Sequence, residues 1–380
     1  MKVDGVPYRS IWLDEDDWSV RIIDQTLLPH EFRVARIVDL EGAARAIELM
    51  RVRGAPLIGA TAAYGLALGL RDDDSDAGLE RARLRLLSTR PTAVNLRWAL
   101  DRGVAHLSTV PQAERVEAAY RLAARLADED VDRNRRIGEA GLKLIGDVAA
   151  RNPDHPVRVL THCNAGWLAT VDWGTATAPL YMAHQAGVSL HVWVDETRPR
   201  NQGASLTAWE LTHHGIPHAV VVDNAGGHLM QKGLVDLCMV GTDRTTATGD
   251  VANKIGTYLK ALAAHDNGVP FYVAAPSSSI DWELEDGTAI PIEERAEDEI
   301  ARVTGRTDDG RIETVCILPR GSSTMNPAFD VTPARLVTGL ITERGLAPAS
   351  REGLLSLFPE RSGERAAAGE SAPAPSREPA

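Results

Sequence analysis

The fold is decided by a segment that reads Val157-Arg158-Val159-Leu160-Thr161-His162-Cys163-Asn164-Ala165-Gly166. Its apolar half predicts a short buried strand, and the Gly-bearing half predicts a turn directly after it. The same order returns where a second apolar run leads into Val240-Gly241-Thr242-Asp243-Arg244. In an open parallel sheet, such turns present the next polar side chain in the crevice beyond the carboxyl edge. We therefore expect Cys163 and Asp243 to form a two-residue site that handles protons.

Strand-like and helical segments alternate on both sides of this segment. The strand-like runs span residues 157–160, 189–194, 219–222, 234–240, 271–274 and 314–318. Such alternation predicts an α/β fold in which helices cover both faces of a mostly parallel sheet. The Gly-rich segment at 223–228 lacks the spacing of a dinucleotide fingerprint, so we expect no cofactor of that kind.

The segments before and after this region differ from it in hydrophobic pattern and composition. Residues 8–37 hold short β-rich runs separated by acidic turns and Pro29, as in a small antiparallel unit. From Leu40 to about Ala149 the apolar spacing is helical, and Pro153 and Pro156 then mark a boundary. We expect an N-terminal domain over 1–150, a catalytic domain over 151–348 and a disordered tail over 349–380, which is rich in Ala, Pro, Glu, Ser and Arg.

Composition narrows the class of protein. The net charge of −12 is spread along 380 residues and includes no basic stripe, which argues against nucleic acid as a partner. No apolar stretch approaches the length of a membrane span, and the first residues lack the apolar core of a signal peptide. Three widely spaced cysteines fit reduced thiols in the cytoplasm, and they fit neither a disulfide framework nor a zinc site.

The cysteines receive different interpretations. Cys163 lies in a turn that we expect to lower its pKa, which favours a functional thiol over a small buried apolar residue. Cys238 and Cys316 lie in apolar runs and are assigned to the core. His162 is interpreted as structural, because the sequence designates no partner for it. For Asp243 the alternatives to a functional role are a salt bridge to Arg244 or a helix N-cap.

Several segments could hold a phosphate. Arg53-Gly54-Ala55-Pro56 and Arg90-Pro91 each set an Arg before a Pro-started helix, where backbone N–H groups suit an anion. Gln202 closes a polar segment after the run at 189–194, and Asn253 and Lys254 are expected where a helix begins. The alternatives are a tightly packed small-residue helix for the segment from Arg53, a surface Arg beside a helix start for Arg90, and an ordinary solvated loop for the segment of Gln202.

As an ordered set, these motifs are specific. From about Trp12 to Glu343 the chain resembles the family of methylthioribose-1-phosphate isomerases. The wider superfamily includes ribose-1,5-bisphosphate isomerase and the α, β and δ regulatory subunits of the eukaryotic translation initiation exchange factor. The resemblance implies a Rossmann-like second domain without a dinucleotide, no cofactor, a sugar phosphate substrate, a homodimer and a place in methionine salvage.

The resemblance also implies roles for individual residues. Asp243 is the expected proton donor, and Cys163 assists or stabilises the transition state. Substrate binding falls to Arg53, Gly54, Ala55, Arg90, Gln202, Asn253 and Lys254. The chain departs from many relatives by carrying Trp167 and Trp173 near the thiol, where we expect them to reshape the end of the pocket that holds the substrate's 5-substituent. This leaves the 5-substituent open among methylthio, deoxy and phosphate. A non-enzymatic regulatory subunit is the alternative from another class.

Overall fold

The computed structural model describes residues 1–90 and 93–363. Its N-terminal part contains five short strands: β1 Lys2–Val3, β2 Val6–Pro7, β3 Ile11–Leu13, β4 Val20–Ile23 and β5 Val34–Ile37. β1 and β2 form a hairpin, and β3, β4 and β5 form an antiparallel sheet in which Ile11 lies opposite Ile22. The antiparallel unit predicted over residues 8–37 is confirmed.

Five helices follow: α1 Leu40–Glu48, α2 Ala55–Asp72, α3 Asp76–Leu87, α4 Val94–Leu107 and α5 Arg115–Arg151. The side chain of Asp39 caps α1 by accepting a hydrogen bond from the N–H of Gly42, and α2 carries its proline in the first turn. α2 is buried along nearly its whole length because α1, α3, α4 and α5 all pack against it. α5 has 37 residues and is therefore about 55 Å long.

The second part of the chain is built on a seven-stranded sheet with the order β18-β17-β12-β9-β6-β7-β8. All neighbours are parallel except the edge pair β17 and β18. Its strands are β6 Val157–Thr161, β7 Leu190–Asp195, β8 His218–Val221, β9 Leu237–Val240, β12 Phe271–Ala274, β17 Gly339–Thr342 and β18 Gly345–Ala347. The predicted parallel sheet is confirmed, and five of the six predicted runs contribute a strand to it.

Helices cover both faces of this sheet: α6 Ala178–Gln185, α7 Ala208–His213, α8 Ala225–Gln231, α9 Thr257–Asp266 and, later in the chain, α11 Arg351–Leu357. Successive residues of β6 point to opposite cores. Val159 packs with Leu180 of α6, whereas Leu160 packs in the cluster that contains Ala261 of α9. A near-continuous apolar run such as 157–160 is what burial on both faces requires.

Two insertions lie outside the main sheet. A four-stranded sheet has the order β13-β10-β11-β16, and a hairpin pairs β14 with β15. The strands are β10 Arg244–Thr246, β11 Val251–Lys254, β13 Ile280–Asp281, β14 Arg302–Arg306, β15 Ile312–Cys316 and β16 Phe329–Thr332, and the short helix α10 is Asp298–Ala301. Among the described residues, no helix is both long and apolar enough to cross a membrane.

Four expectations about these regions are wrong. The run at 314–318 contributes to the exposed β14–β15 hairpin instead of the main sheet, so Cys316 is exposed and does not belong to the core. Asn253 and Lys254 end strand β11 instead of opening a helix, because they pair with β16 before Gly256 turns the chain into α9. The tail expected to be disordered from 349 includes α11, whose Leu354 packs into the core. Residues 364–380 lie outside the described part.

The division of the chain near residue 150 stays a prediction. The helix α5 ends at Arg151 and β6 begins at Val157, so the compositional boundary coincides with a change of element. α5 itself packs against α2 and also against α6 and β17, with its first half in the core of the N-terminal helices and its second half in the core beside the sheet. Cys238 is buried in β9, as expected.

Candidate active site

Cys163 and Asp243 meet at the carboxyl edge of the sheet. β6 and β9 are neighbours, and the two residues follow their ends. Both line a small cavity of about 30 Å³, together with Arg53, Gly54, Ala55 and Asn253 from elsewhere in the chain. Residues that lie up to 200 positions apart in sequence therefore surround one space.

The backbone of Cys163 is held from both sides by threonine hydroxyl groups. Its φ of 65° lies in the left-handed region, which is uncommon for a residue other than glycine. Its N–H donates to Thr197 Oγ1 at 2.8 Å, and its carbonyl accepts from Thr207 Oγ1 at 2.7 Å. Thr197 is itself left-handed at φ 65°, and the carboxylate of Asp223 accepts from its N–H. Strained backbone of this kind is characteristic of functional sites.

The thiol of Cys163 is buried, and burial raises its pKa above the usual value. The positive charges of Arg53 and Lys254 oppose this shift but do not overcome it. The expected lowering is therefore wrong. It assumed a helix N-terminus after the turn, whereas only a single 3-10 turn, Trp167–Ala169, follows before α6 begins at Ala178.

The carboxyl group of Asp243 is free to meet a ligand. Burial raises its pKa, and the nearby charges of Lys254, Arg53 and Arg90 only partly offset this. No described residue forms a hydrogen bond or ion pair with the side chain. Neither structural alternative holds, because Arg244 donates to Asp281 at 2.9 Å and a strand, instead of a helix, follows Asp243.

Arg53 and the start of α2 form the cationic side of the cavity. Arg53 Nη1 donates to Asn164 Oδ1 at 2.6 Å and to the Asn164 carbonyl at 2.9 Å, while its Nη2 lies 4.0 Å from Cys163 Sγ. Gly54 has a φ of 96°, and a Cβ there would lie 2.3 Å from the carbonyl oxygen of Ala169. Glycine is required at this position, and it brings the N–H groups at the start of α2 to the cavity.

Arg90 is engaged in an ion-pair network. Its Nη2 lies 2.8 Å from Glu293 Oε2, and Glu293 also binds Arg295. Arg295 continues the network to Glu299. Arg90 Nε is buried and has no partner among the described residues. Glu293 is a neighbour of the site that the sequence did not indicate, since it lies in a charged stretch without a motif.

The other predicted binding residues lie around this space. Lys254 is buried, which lowers its pKa, and its Nζ donates to the Ala328 carbonyl at 2.8 Å. Asn253 Nδ2 donates to Thr257 Oγ1 at 3.0 Å. Gln202 lines a second, larger cavity of about 610 Å³ that shares Arg53 with the small one, and the buried oxygen of its side chain has no described partner.

His162 is structural, as interpreted from sequence. Its Nδ1 bonds to Asp195 at 2.9 Å and its Nε2 to the Ile255 carbonyl at 2.8 Å. His162, Asp195 and Asp223 lie close enough together to suggest a metal site. The ammonium group of Lys260, 3.3 Å from Asp195, supplies positive charge there, so we interpret the cluster as an ion-pair network.

The two tryptophans do not shape the small cavity. Trp167 is fully buried and packs against Trp209, and neither Trp167 nor Trp173 lines either cavity. The suggestion that they reshape the end of the pocket is therefore wrong. Proximity in sequence to Cys163 was misleading because Ala169, Thr170 and Thr175 of the same segment line the cavity, whereas the indole of Trp167 is buried against Trp209.

Comparison with known proteins shows the family of the chain. A sequence model of the initiation factor 2 subunit family matches residues 51–349. The methylthioribose-1-phosphate isomerase of Rhodospirillum centenum is 66% identical over 368 residues, which are 97% of this chain and 98% of that protein. The protein of the same name from Methylorubrum extorquens is 63% identical, over 95% of this chain and 99% of the relative.

Two solved structures are similar over most of the chain. The 5-methylthioribose 1-phosphate isomerase of Pyrococcus horikoshii OT3 has a TM-score of 0.80 and 41% identity, covering 93% of this chain and 96% of the other. The structure described as translation initiation factor eIF-2B, subunit delta, from A. fulgidus has a TM-score of 0.77 and 40% identity, covering 93% and 100%.

Proposed function

The chain belongs to the initiation factor 2 subunit family, and we propose that it is an enzyme that isomerises 5-methylthioribose 1-phosphate to 5-methylthioribulose 1-phosphate in methionine salvage. The observation that carries this proposal is the unpaired carboxyl group of Asp243, with a raised pKa, in one cavity with Cys163 and Arg53. A neutral carboxylic acid beside a cationic phosphate site suits the opening of a phosphorylated sugar ring.

The phosphate dictates the chemistry. It occupies the anomeric oxygen, so the ring cannot open to a free aldehyde while the phosphate is retained. In the proposed mechanism Asp243 donates its proton to the ring oxygen as the bond between C1 and that oxygen breaks. Hydrogen then moves from C2 to C1, either as a hydride or as a proton relayed by Cys163, and C2 becomes the ketone carbon. Formation of the ketone releases the proton of the C2 hydroxyl group, and this proton restores the acid form of Asp243 before the next turnover.

The phosphate is proposed to bind between the two halves of the site. Arg53 and the N–H groups at the start of α2 would meet it from one side, with Lys254 and Asn253 on the other. Arg90 would leave or share Glu293 when the phosphate arrives, because both anions compete for one guanidinium group. Holding the substrate by its phosphate orients C1 and C2 between the thiol and the acid.

The larger cavity supports an apolar 5-substituent over a second phosphate. Met50 and Leu206 line it together with Gln202. Apart from Arg53, which it shares with the small cavity, its arginines are already paired: Arg200 lies 2.9 Å from Glu299 and Arg302 lies 3.3 Å from Asp298. With Arg53 engaged by the first phosphate, the second phosphate of a bisphosphate would therefore meet carboxylates in this cavity without a further unpaired cation to offset them.

The alternative is a non-enzymatic regulatory subunit, because a structure described as an initiation factor subunit is also similar to this chain. The residues of the site support this alternative less than they support an enzyme. A regulatory subunit has no need for a strained cysteine and an unpaired acid in one cavity. We further propose a cytoplasmic homodimer that binds no nucleic acid and uses no cofactor. Light scattering of the purified protein tests the dimer, and a monomer at micromolar concentration would contradict it.

The deciding assay compares three substrates in parallel by phosphorus NMR. Purified protein is given methylthioribose 1-phosphate, 5-deoxyribose 1-phosphate and ribose 1,5-bisphosphate, and formation of each ketose is followed. We expect turnover of the methylthio compound, with the deoxy compound as a slower substrate. Turnover of the bisphosphate alone would overturn the substrate, and no turnover of any of the three would overturn the enzymatic proposal.

A further inference from the structure

Behind the cavity lies a fully buried carboxylate, Glu210 of α7, that no mechanism above uses. It accepts four hydrogen bonds. Its Oε1 accepts from Asn164 Nδ2 at 2.9 Å and from the Leu168 N–H at 3.0 Å, and its Oε2 accepts from the Trp167 N–H at 3.1 Å and the Tyr181 hydroxyl at 2.6 Å. No cation among the described residues pairs with it, so donors alone offset its burial.

The turn after Cys163 is shaped around this carboxylate. A Cβ at Gly166 would lie 1.8 Å from Glu210 Oε2, which no side chain could tolerate. Burial raises the pKa of Glu210, while the bonds from Tyr181, Asn164 and the two backbone N–H groups oppose the rise. A carboxylate placed so closely under a turn, at such a cost in desolvation, indicates a role beyond packing.

The hydrogen bonds of Glu210 determine the orientation of the side-chain amide of Asn164. The Leu168 N–H can only donate, so Glu210 Oε1 is an acceptor, and Asn164 must present its amino group to it. The amide oxygen of Asn164 then faces the opposite direction, where Arg53 Nη1 donates to it at 2.6 Å. The reverse orientation would set an amino group against a guanidinium group and an oxygen against a carboxylate.

We propose that Glu210 is a positioning residue that acts through Asn164 to hold Arg53 in the orientation that binds the substrate's phosphate. This inference rests on the proposed function only in assigning a phosphate to Arg53. Arg53 contacts the phosphate in the ground state and the transition state alike. Loss of its orientation should therefore raise KM and leave kcat nearly unchanged.

The test is a double-mutant cycle on phosphate affinity. Isothermal titration with inorganic phosphate needs no turnover, and it is applied to the wild type, Glu210→Gln, Arg53→Lys and the double variant. In Glu210→Gln an amino group must face the backbone N–H of either Leu168 or Trp167, so the turn shifts and the hold on Arg53 weakens. We expect each single variant to weaken phosphate binding about tenfold and the double variant to be no weaker than Arg53→Lys within about twofold.

Two further variants separate positioning from general stability. Tyr181→Phe removes a donor from the opposite oxygen of Glu210, so it should lower the melting temperature and leave phosphate affinity within about twofold. Asn164→Ala removes the link itself and keeps the test valid should Glu210→Gln fail to fold. We expect it to weaken phosphate binding about tenfold, with a raised KM and kcat within about threefold of the wild type.

The outcomes are distinct. Wild-type phosphate affinity in Glu210→Gln or Asn164→Ala would overturn the positioning role, as would an effect fully additive with Arg53→Lys. If the wild type binds phosphate but turns over none of the three sugar phosphates, the proposed function fails while the cycle still decides the role of Glu210.

Discussion

Replacing Asp243 by Asn should separate catalysis from stability. Asn keeps the shape of the side chain but cannot supply the proton that opens the ring. A single acid–base group contributes about 10²–10⁴-fold to rate, so kcat should fall by that factor. Arg53 and the start of α2 are untouched, so phosphate affinity should stay within about threefold of the wild type.

The same substitution should stabilise the protein at pH 7. Because the pKa of Asp243 is raised on folding, the native state binds more protons than the unfolded state between the two pKa values. Stability therefore falls as the pH rises through this window. Each unit by which folding raises the pKa lowers the free energy of unfolding by about 1.4 kcal/mol once the pH lies above both pKa values. Asn carries no such penalty, so the melting temperature should rise on the order of 1–3 °C.

Asp236→Asn is the matched control, because Asp236 precedes β9 and Asp243 follows it. Burial would raise the pKa of Asp236, but hydrogen bonds from Arg158 outweigh burial and lower it. Its contribution to stability is present above the unfolded pKa and is lost as the pH falls through the folded pKa. At pH 7 the control should therefore melt lower than the wild type and keep its turnover.

Steady-state kinetics and thermal unfolding measure both effects, and the pH dependence of kcat/KM adds a third readout. The wild-type rate should be level below the pKa of Asp243 and fall as the pH rises above it, since only the protonated acid donates. An Asp243→Asn variant with turnover within tenfold of the wild type would refute the acid role. A variant that melts lower than the wild type would show that the carboxylate is a structural acceptor.

Three further predictions concern the backbone, the route of hydrogen and the thiols. Gly54→Ala should destabilise the fold by about 1–3 kcal/mol and weaken phosphate binding, because of its φ of 96° and the carbonyl oxygen in its path. Gly146→Ala inside α5, where a Cβ meets nothing within 4 Å, should instead stabilise by about 0.5–1 kcal/mol; similar losses in urea unfolding of the two would contradict this reasoning. In deuterated water the ketose should carry almost no deuterium at C1, because a thiol with a raised pKa is a poor base and a hydride shift is then favoured; complete exchange seen by NMR would instead favour relay by Cys163. Under native conditions maleimide should label Cys316 quickly, Cys163 much more slowly and Cys238 only on unfolding, and labelling of Cys163 as fast as that of Cys316 by mass spectrometry would contradict the burial of Cys163.

Local signals in the sequence were enough to predict five of the seven strands of the sheet, but not the strands β17 and β18 at one edge. Cys163 and Asp243 follow apolar runs that are buried on both faces, and a Gly-bearing turn ends each run. The same signal failed at 314–318, where an apolar run forms an exposed hairpin. A run of five residues does not record whether other elements cover it, so the exposure of Cys316 was not predictable.

The parts of the site that were missed depend on contacts over long distances in sequence. β9 lies beside β6 although β7 and β8 come between them in the chain, and no local pattern specifies this order. Thr207 and Glu210 reach the Cys163 turn from more than 40 residues away. The pKa of Cys163 is likewise raised because the assembled fold buries the thiol. The residues next to Cys163 in sequence do not indicate that burial.

The long helix α5 has a consequence for how a substrate enters. The cavity of about 30 Å³ between Cys163 and Asp243 is small, so a substrate bound there extends past Arg53 into the larger cavity of about 610 Å³. α5 is a single rod that packs against both α2, which starts beside Arg53, and the sheet that carries Cys163. A hinge between these halves would have to bend the rod, which is costly. We therefore expect the surrounding loops to move when the substrate enters. The distance between the guanidinium group of Arg53 and the thiol of Cys163 should stay the same throughout each catalytic cycle.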